Sequence, residues 1–277
     1  VASLDDSHVN RAAPPGSMRY FSLLYAPEDR REQLLALYVI DAEIRESAQS
    51  VNHDVAHTRL QWWRAEIDRL VNGSPQHPAT RLLNDSPVER ASFAKLHEIM
   101  VAADMDLARM TYSNMRELRA YASRSGGAIQ EVMAAQLVAP SPLDEAARAT
   151  ANRIGIGVRQ SEMLRDLRQD AYDGRVYLPQ DRLTAHNVTL EELRARDVAP
   201  QVKAALREFK DAVQEELQSA LRSVSAPLRP LAVLAALHGR LLQRIAARDY
   251  NVAQSRIELG PIEKPWVAWK AARRSTQ

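Results

Sequence analysis

"MLRDLRQDAYDGRVYLP", residues Met163 to Pro179, decides how the chain reads. Asp166 and Asp170 stand four apart in it, just ahead of Gly174, and Glu162 precedes them by another four. A helix from Asp144 through Tyr172 stacks these three carboxylates a turn apart on one face. Three oxygen ligands in a row suit Mg²⁺, which keeps several waters and bridges to phosphate oxygens. Arg165, Arg168 and Arg175 lie beside them and can neutralise an anionic ligand. The alternative is a charged, solvated helix flank in which the carboxylates repel one another mildly.

Outward from this stretch, helical periodicity dominates. Pro27 and Glu28 open a helix that places Leu34, Leu37, Tyr38, Asp41, Ile44 and Arg45 on one face. Leu60, Trp63, Ile67 and Leu70 are in step in a second helix that stops at Gly73. Further helical patterns cover about 88–103, 104–123, 126–138, 199–223 and 229–249, broken by prolines such as Pro75, Pro87, Pro140 and Pro179. Nine glycines in 277 residues favour helix, because glycine costs most there. No strand alternation and no repeat is visible. The expectation is an all-α single domain over 17–277 around one interior, preceded by a flexible arm over 1–16.

Composition excludes several functions. There is no cysteine, so thiolate metal sites and Cys nucleophiles are absent. A net charge of +2 is too mild to argue for nucleic acid. No apolar run spans a bilayer and no apolar signal segment opens the chain, which points to a cytoplasmic location. Among the seven histidines only His53 and His57 stand four apart, and no H-E-x-x-H motif is present. Trp62 and Trp63 are adjacent, so one ring faces the core and the other turns away. Tyr112 and Tyr121 either cap a cavity or simply pack. Gly126 and Gly127 mark either a close helix approach or a break. The basic stretch "KPWVAWKAARRS" with Trp266 and Trp269 reads either as a helix packed on the fold or as a contact with the inner face of an anionic membrane.

The stretch from Arg165 to Pro179 resembles the second aspartate-rich motif of squalene and phytoene synthases, N-x-x-R-D-x-x-x-D-x-x-x-G-R-x-Y-L-P. Arg165, Asp166, Asp170, Gly174, Arg175, Tyr177, Leu178 and Pro179 match, and Glu162 replaces the Asn. "SMRYFSLLYAPEDRREQLLALYVI", "DLARMTYSNMRELRAYASRSGG" and "LLQRIAARDYNVAQSRIELGPIEKPWVAWKA" extend the resemblance over nearly the whole chain. It implies an isoprenoid-synthase-like helical bundle around a central cavity, where Mg²⁺ bridges an isoprenyl diphosphate, such as farnesyl diphosphate, to acidic motifs. It implies metal ligation by Glu162, Asp166 and Asp170, catalytic roles for Asp166, Asp170 and Tyr177, and substrate binding by Ser17, Arg165 and Arg175.

The first acidic motif of that family is degenerate here. Alignment on Leu37 and Tyr38 puts Arg45, Glu46 and Gln49 where three aspartates belong. Arg45 places a permanent cation where a metal would bind. Asp41 stands one turn before it, which reads as an i, i+4 ion pair; the alternative is a shifted metal site using Asp41 and Glu46. "LYVIDAEIRES" followed by "RLQWWRAEIDRL" resembles the subgroup that includes the mitochondrial complex I assembly factor. Two functions therefore stand: a prenyltransferase of the squalene/phytoene synthase type, or a non-catalytic assembly or scaffold factor with a protein partner.

Overall fold

The computed structural model describes residues 4–50 and 52–274; the first three residues of the expected arm, Val51, and the last three of the expected domain lie outside them. The helices follow in chain order: α1 Asp6–Ala12, α2 Met18–Leu23, α3 Glu28–Ala48, α4 His53–Val71 and α5 Pro78–Asn84. Next come α6 His97–Leu107, α7 Met115–Ala122, α8 Ala128–Val138, α9 Glu145–Arg165 and α10 Leu167–Tyr172. The chain then forms α11 Gln180–Ala185, α12 Leu190–Arg194, α13 Pro200–Leu221, α14 Arg229–Ala247 and α15 Glu263–Arg274. No strand occurs among the described residues, as an all-α chain requires.

α9 runs through the centre, packed against α8, α13 and α14. α3 lies across α8 and carries α4, α5 and α6 on its outer side. The apolar positions read from the sequence bury as expected: Leu34, Leu37, Tyr38 and Ile44 on α3, and Leu60, Trp63, Ile67 and Leu70 on α4. Trp62 is half-exposed and meets Trp63 edge-on at 5.2 Å. Gly126 and Gly127 belong to a π-helical turn over Ser123–Gly127 that joins α7 to α8. There the backbone touches α9: a Cβ added at Gly155 would overlap the Gly126 carbonyl. Close approach, rather than a break, is the role of that pair.

Three expectations need correction. The arm expected to be loose over 1–16 carries α1, capped by Asp5, whose side chain accepts from the His8 N–H. α1 packs on α3 and buries Ala12 and Ala13; apolar contact outweighs the polar local composition. The helix expected over 104–123 is interrupted between Leu107 and Met115, where Arg109 adopts a left-handed φ of 52°. The helix expected through Tyr172 breaks at Asp166, with φ −98° and ψ 12°. Asp166 N–H still bonds the Glu162 carbonyl at 2.9 Å, so the break is a bend with the chain continuing.

Candidate functional site

The bend at Asp166 decides what the acidic motif can do. Its three carboxylates do not all come within 4.8 Å of one another, and they open on two separate clefts. Asp166 and Asp170 line a cleft of about 490 Å³ together with Gln49, Arg175 and Arg256. Glu162 lines a neighbouring cleft of about 440 Å³ with Ser17, Arg19, His238 and Lys264. Arg165 and Arg256 form the wall between the two.

Past Asp170 the chain turns sharply. Gly174 sits at φ 79°, and Arg175 N–H bonds the Asp170 carbonyl at 2.7 Å. That left-handed position costs a side chain about 1–2 kcal/mol, so the glycine of the motif is a backbone requirement. It returns Arg175 beside Asp173 at 2.9 Å and Asp170 at 3.7 Å. Burial pushes the Asp170 carboxyl up to about 7; Asp166 and Asp106 add to this, and Arg159 and Arg175 oppose it. Asp170 is short of positive charge, whereas Asp166 is held by Arg165 at 2.9 Å and by Arg256 at 3.1 Å; a hard cation here would neutralise Asp170 and take the place of the guanidinium groups on Asp166. Asp166 and Asp170 fit Mg²⁺ on this ground.

Glu162 does not fit it. Burial opposes its ionisation, but Arg45, Arg19 and Arg159 outweigh burial and hold its carboxyl well below the usual range. Arg45 and Arg159 each approach its carboxylate to 3.6 Å. The bend at Asp166 separates Glu162 from Asp166 and Asp170, and internal guanidinium groups supply the charge a metal would have brought.

The degenerate motif on α3 is closed in the same way. Asp41 is fully buried and takes Arg45 at 2.8 Å and Arg19 at 2.6 Å. Arg45 also donates to the Ser125 carbonyl at 2.7 Å, spending its fork across three elements. The ion-pair reading of Asp41 and Arg45 is therefore the observed one. Glu46 faces outward and meets Arg11 at 3.4 Å, so Asp41 and Glu46 form no shared metal site.

Tyr177 is buried and lines a small, mainly apolar pocket together with Asp170 and Arg175. Its hydroxyl donates to Asp106 at 2.7 Å and accepts from Arg159 at 3.2 Å, and Tyr121 repeats both contacts. The Tyr177 and Tyr121 rings stack at 5.5 Å, with Tyr112 on their other side. The Arg159 guanidinium lies 5.2 Å from the Tyr177 ring centroid and 5.8 Å from that of Tyr121. A protein cation thus lies against both aromatic faces. Asp106, Arg159 and Arg19 were missed in the sequence. The i, i+3 spacing of Arg159 and Glu162 was the one signal that could have found any of them.

The second cleft is basic. Arg11, Arg19, Arg165, Arg256 and Lys264 outnumber Glu162 and Glu258. Ser17 caps α2 by accepting from the Tyr20 N–H at 3.1 Å, which leaves its O–H free to donate into the cleft. Ser161 donates to the Val158 carbonyl and so accepts from His238 Nδ1 at 2.6 Å. Burial pushes His238 down to about 4, so the ring is neutral and its Nε2 is an acceptor. Of the three arginines beside the motif, Arg165 chelates Asp166, at 2.9 Å through Nε. Arg168 is not a ligand group: it clamps the Arg194 and Ala253 carbonyls.

The model of the squalene/phytoene synthase family matches residues 13–263, and the chain belongs to that family. A phytoene synthase of Mycobacterium bovis is 29% identical over 261 residues, 90% of this chain and 84% of its own length. Phytoene synthase 1, chloroplastic, of Arabidopsis thaliana is 29% identical over 261 residues, and the alignment spans 60% of that longer protein. Among solved structures, a dehydrosqualene synthase in complex with ligand superposes with a TM-score of 0.83 at 15% identity, over 98% of this chain and 94% of its own. A squalene synthase of Alicyclobacillus acidocaldarius gives 0.73 at 20% identity, over 88% and 92%. These likenesses establish the fold, and no helix among the described residues is long and apolar enough to cross a membrane.

Proposed function

We propose that this chain binds one isoprenyl diphosphate, such as farnesyl diphosphate, with the diphosphate at the Arg165–Arg256 wall. The observation that carries this reading is the juxtaposition of the basic cleft with the charge-deficient Asp170 beside Asp166. Asp166 and Asp170 would hold Mg²⁺, which supplies charge neutralisation and a bridge between carboxylate and phosphate oxygens when bound. Arg165 and Arg256 bind phosphate oxygens once released from Asp166. Ser17 donates its hydroxyl, and Lys264 and Arg19 hold the potential of the cleft positive.

Head-to-head condensation needs donor and acceptor positioned together. Asp41, Arg45, Glu162 and Arg159 neutralise one another where the second site would stand, which favours a second reading: a non-catalytic synthase-fold assembly or scaffold factor with a protein partner. Under the ligand-binding reading the lipid is met at a surface. Ile262, Trp266 and Trp269 on and beside α15 are 84%, 60% and 43% exposed, the two indoles stack at 5.1 Å, and Arg273 lies over Trp269. Indoles beside basic residues suit an anionic membrane face. Trp266→Ala with Trp269→Ala should abolish co-sedimentation with anionic vesicles while Tm stays unchanged; unchanged sedimentation rejects the membrane contact.

The decisive experiment is a thermal-shift titration with farnesyl thiodiphosphate, with and without Mg²⁺. A ligand that binds only the folded state must raise Tm. The expected result is a Mg²⁺-dependent rise that Asp166→Asn removes. A rise unaffected by Asp166→Asn rejects the acidic pair as the metal site, and no rise at saturation leaves the scaffold reading.

A further inference from the structure

The chain holds a second set of ligand-type side chains, far from the motif in sequence. His8 on α1, Glu43 on α3 and His77 at the start of α5 converge, with all three ligand atoms inside a 4.8 Å span. His8 Nε2 lies 3.7 Å from one Glu43 oxygen and His77 Nε2 3.5 Å from the other. Donors at about 2.0–2.2 Å around a tetrahedral ion are spaced only slightly more closely than this. We propose that His8, Glu43 and His77 form a Zn²⁺-type site that clips the N-terminal helix to the bundle.

The ligands are held in place before any ion arrives. His8 Nδ1 is hydrogen-bonded to the Asp5 carboxylate at 2.5 Å, which aims Nε2 at Glu43. A carboxylate behind a histidine is the usual outer partner of a metal-bound imidazole. The His77 backbone is pinned by its N–H donating to the buried Glu66 carboxylate at 2.8 Å. Its ring packs against Trp63 with centroids 5.0 Å apart, and meets His8 edge-on at 5.7 Å. Ligation moves the His77 proton from Nε2 to Nδ1. It therefore gives up the 3.2 Å contact in which Nδ1 caps Ala79 N–H.

Two nitrogens and one carboxylate oxygen suit Zn²⁺ better than Mg²⁺, and leave a fourth position for water. The site is separate from the aspartate pair, yet it bears on the basic cleft. α1 leads directly into Arg11, Ala12, Pro14 and Ser17, which wall that cleft. An ion on His8 fixes the segment that shapes it.

The test is metal content and stability of the chain, stripped with chelator and reloaded with Zn²⁺. Wild type should retain about one equivalent after desalting, with Tm raised by about 5 °C at a hundredfold excess over Kd. His8→Gln, Glu43→Gln and His77→Gln should each lose both effects. His8 lies outside the core, so His8→Gln keeps the fold, and circular dichroism confirms this. Asp166→Asn with Asp170→Asn should keep the zinc, which separates this site from the diphosphate site. Tryptic cleavage after Arg11 should slow several-fold on loading. Zinc retained equally by the three ligand variants, zinc lost in the aspartate double variant, or none bound by wild type overturns the proposal.

Discussion

The α3 region and the α9–α10 bend both present carboxylates toward the middle of the bundle, and they handle the charge in opposite ways. On α3, Asp41 is saturated by Arg19 and Arg45, and the fork of Arg45 reaches on to Glu162 and Ser125. At the bend, Asp166 is held by Arg165 and Arg256 beside a solvent cleft, while Asp170, lining the same cleft, has Arg175 only at 3.7 Å. A carboxylate satisfied by internal guanidinium groups supports the fold and has nothing left for a ligand. One left with a like-charged neighbour costs stability until a cation arrives. The charge-deficient region is the one to associate with ligand binding.

The largest effect should come from breaking the closed region. Arg45→Ala leaves Asp41 with one partner and removes a cation from Glu162, and should cost about 3–5 kcal/mol by urea denaturation. Arg45→Asp restores the aspartate of the family motif but sets a third carboxylate beside the other two, so it should cost at least as much. Equal stability of Arg45→Ala and wild type would mean that the α3 network carries no net energy.

The open region should respond in the other direction. Asp170 titrates near 7 when folded against an ordinary 3.8, so the folded state binds the extra proton between those values. Its stabilisation is complete below 3.8 and is lost as pH rises through 7. Asp170→Asn should therefore stabilise the chain at pH 8, by on the order of 2–4 kcal/mol. His238 opposes this slope. Its folded value near 4 lies below the ordinary 6.5, so stability is complete above 6.5 and falls as pH drops toward 4. His238→Gln should remove that acid-side loss, on the order of 3 kcal/mol. Melting curves between pH 4 and 8 for both variants check the two slopes, and parallel profiles would sink the assignment.

Smaller effects grade the remainder. Tyr177→Phe loses one hydrogen bond to Asp106 and one from Arg159, both of which Tyr121 still makes, and should cost about 1–2 kcal/mol without altering Mg²⁺-dependent ligand binding. A large loss of ligand binding with intact stability would return Tyr177 to the active machinery. Glu46→Gln touches only an exposed pair with Arg11 and should shift stability by less than about 0.5 kcal/mol.

The period of the apolar residues and the scarcity of glycine were enough to predict helices, because burial of one stripe dictates where leucine and isoleucine must fall. The run from Arg165 to Pro179 was enough to mark the acidic pair and its turn, since a left-handed residue at Gly174 follows from local sterics. Spacing also anticipated the Asp41–Arg45 pair, four residues apart on one helix. Local spacing misplaced Glu162, because a bend of one residue at Asp166 sends adjacent turns into different clefts. It had no access to Arg19 or Asp106, whose partners lie on other helices, and offered for Arg159 only its i, i+3 partner Glu162. Nor did it connect His8, Glu43 and His77, separated by more than thirty residues at each step. Which charges neutralise one another, and which remain for a ligand, depends on distances of a few ångströms between distant segments, and only the packed bundle sets those.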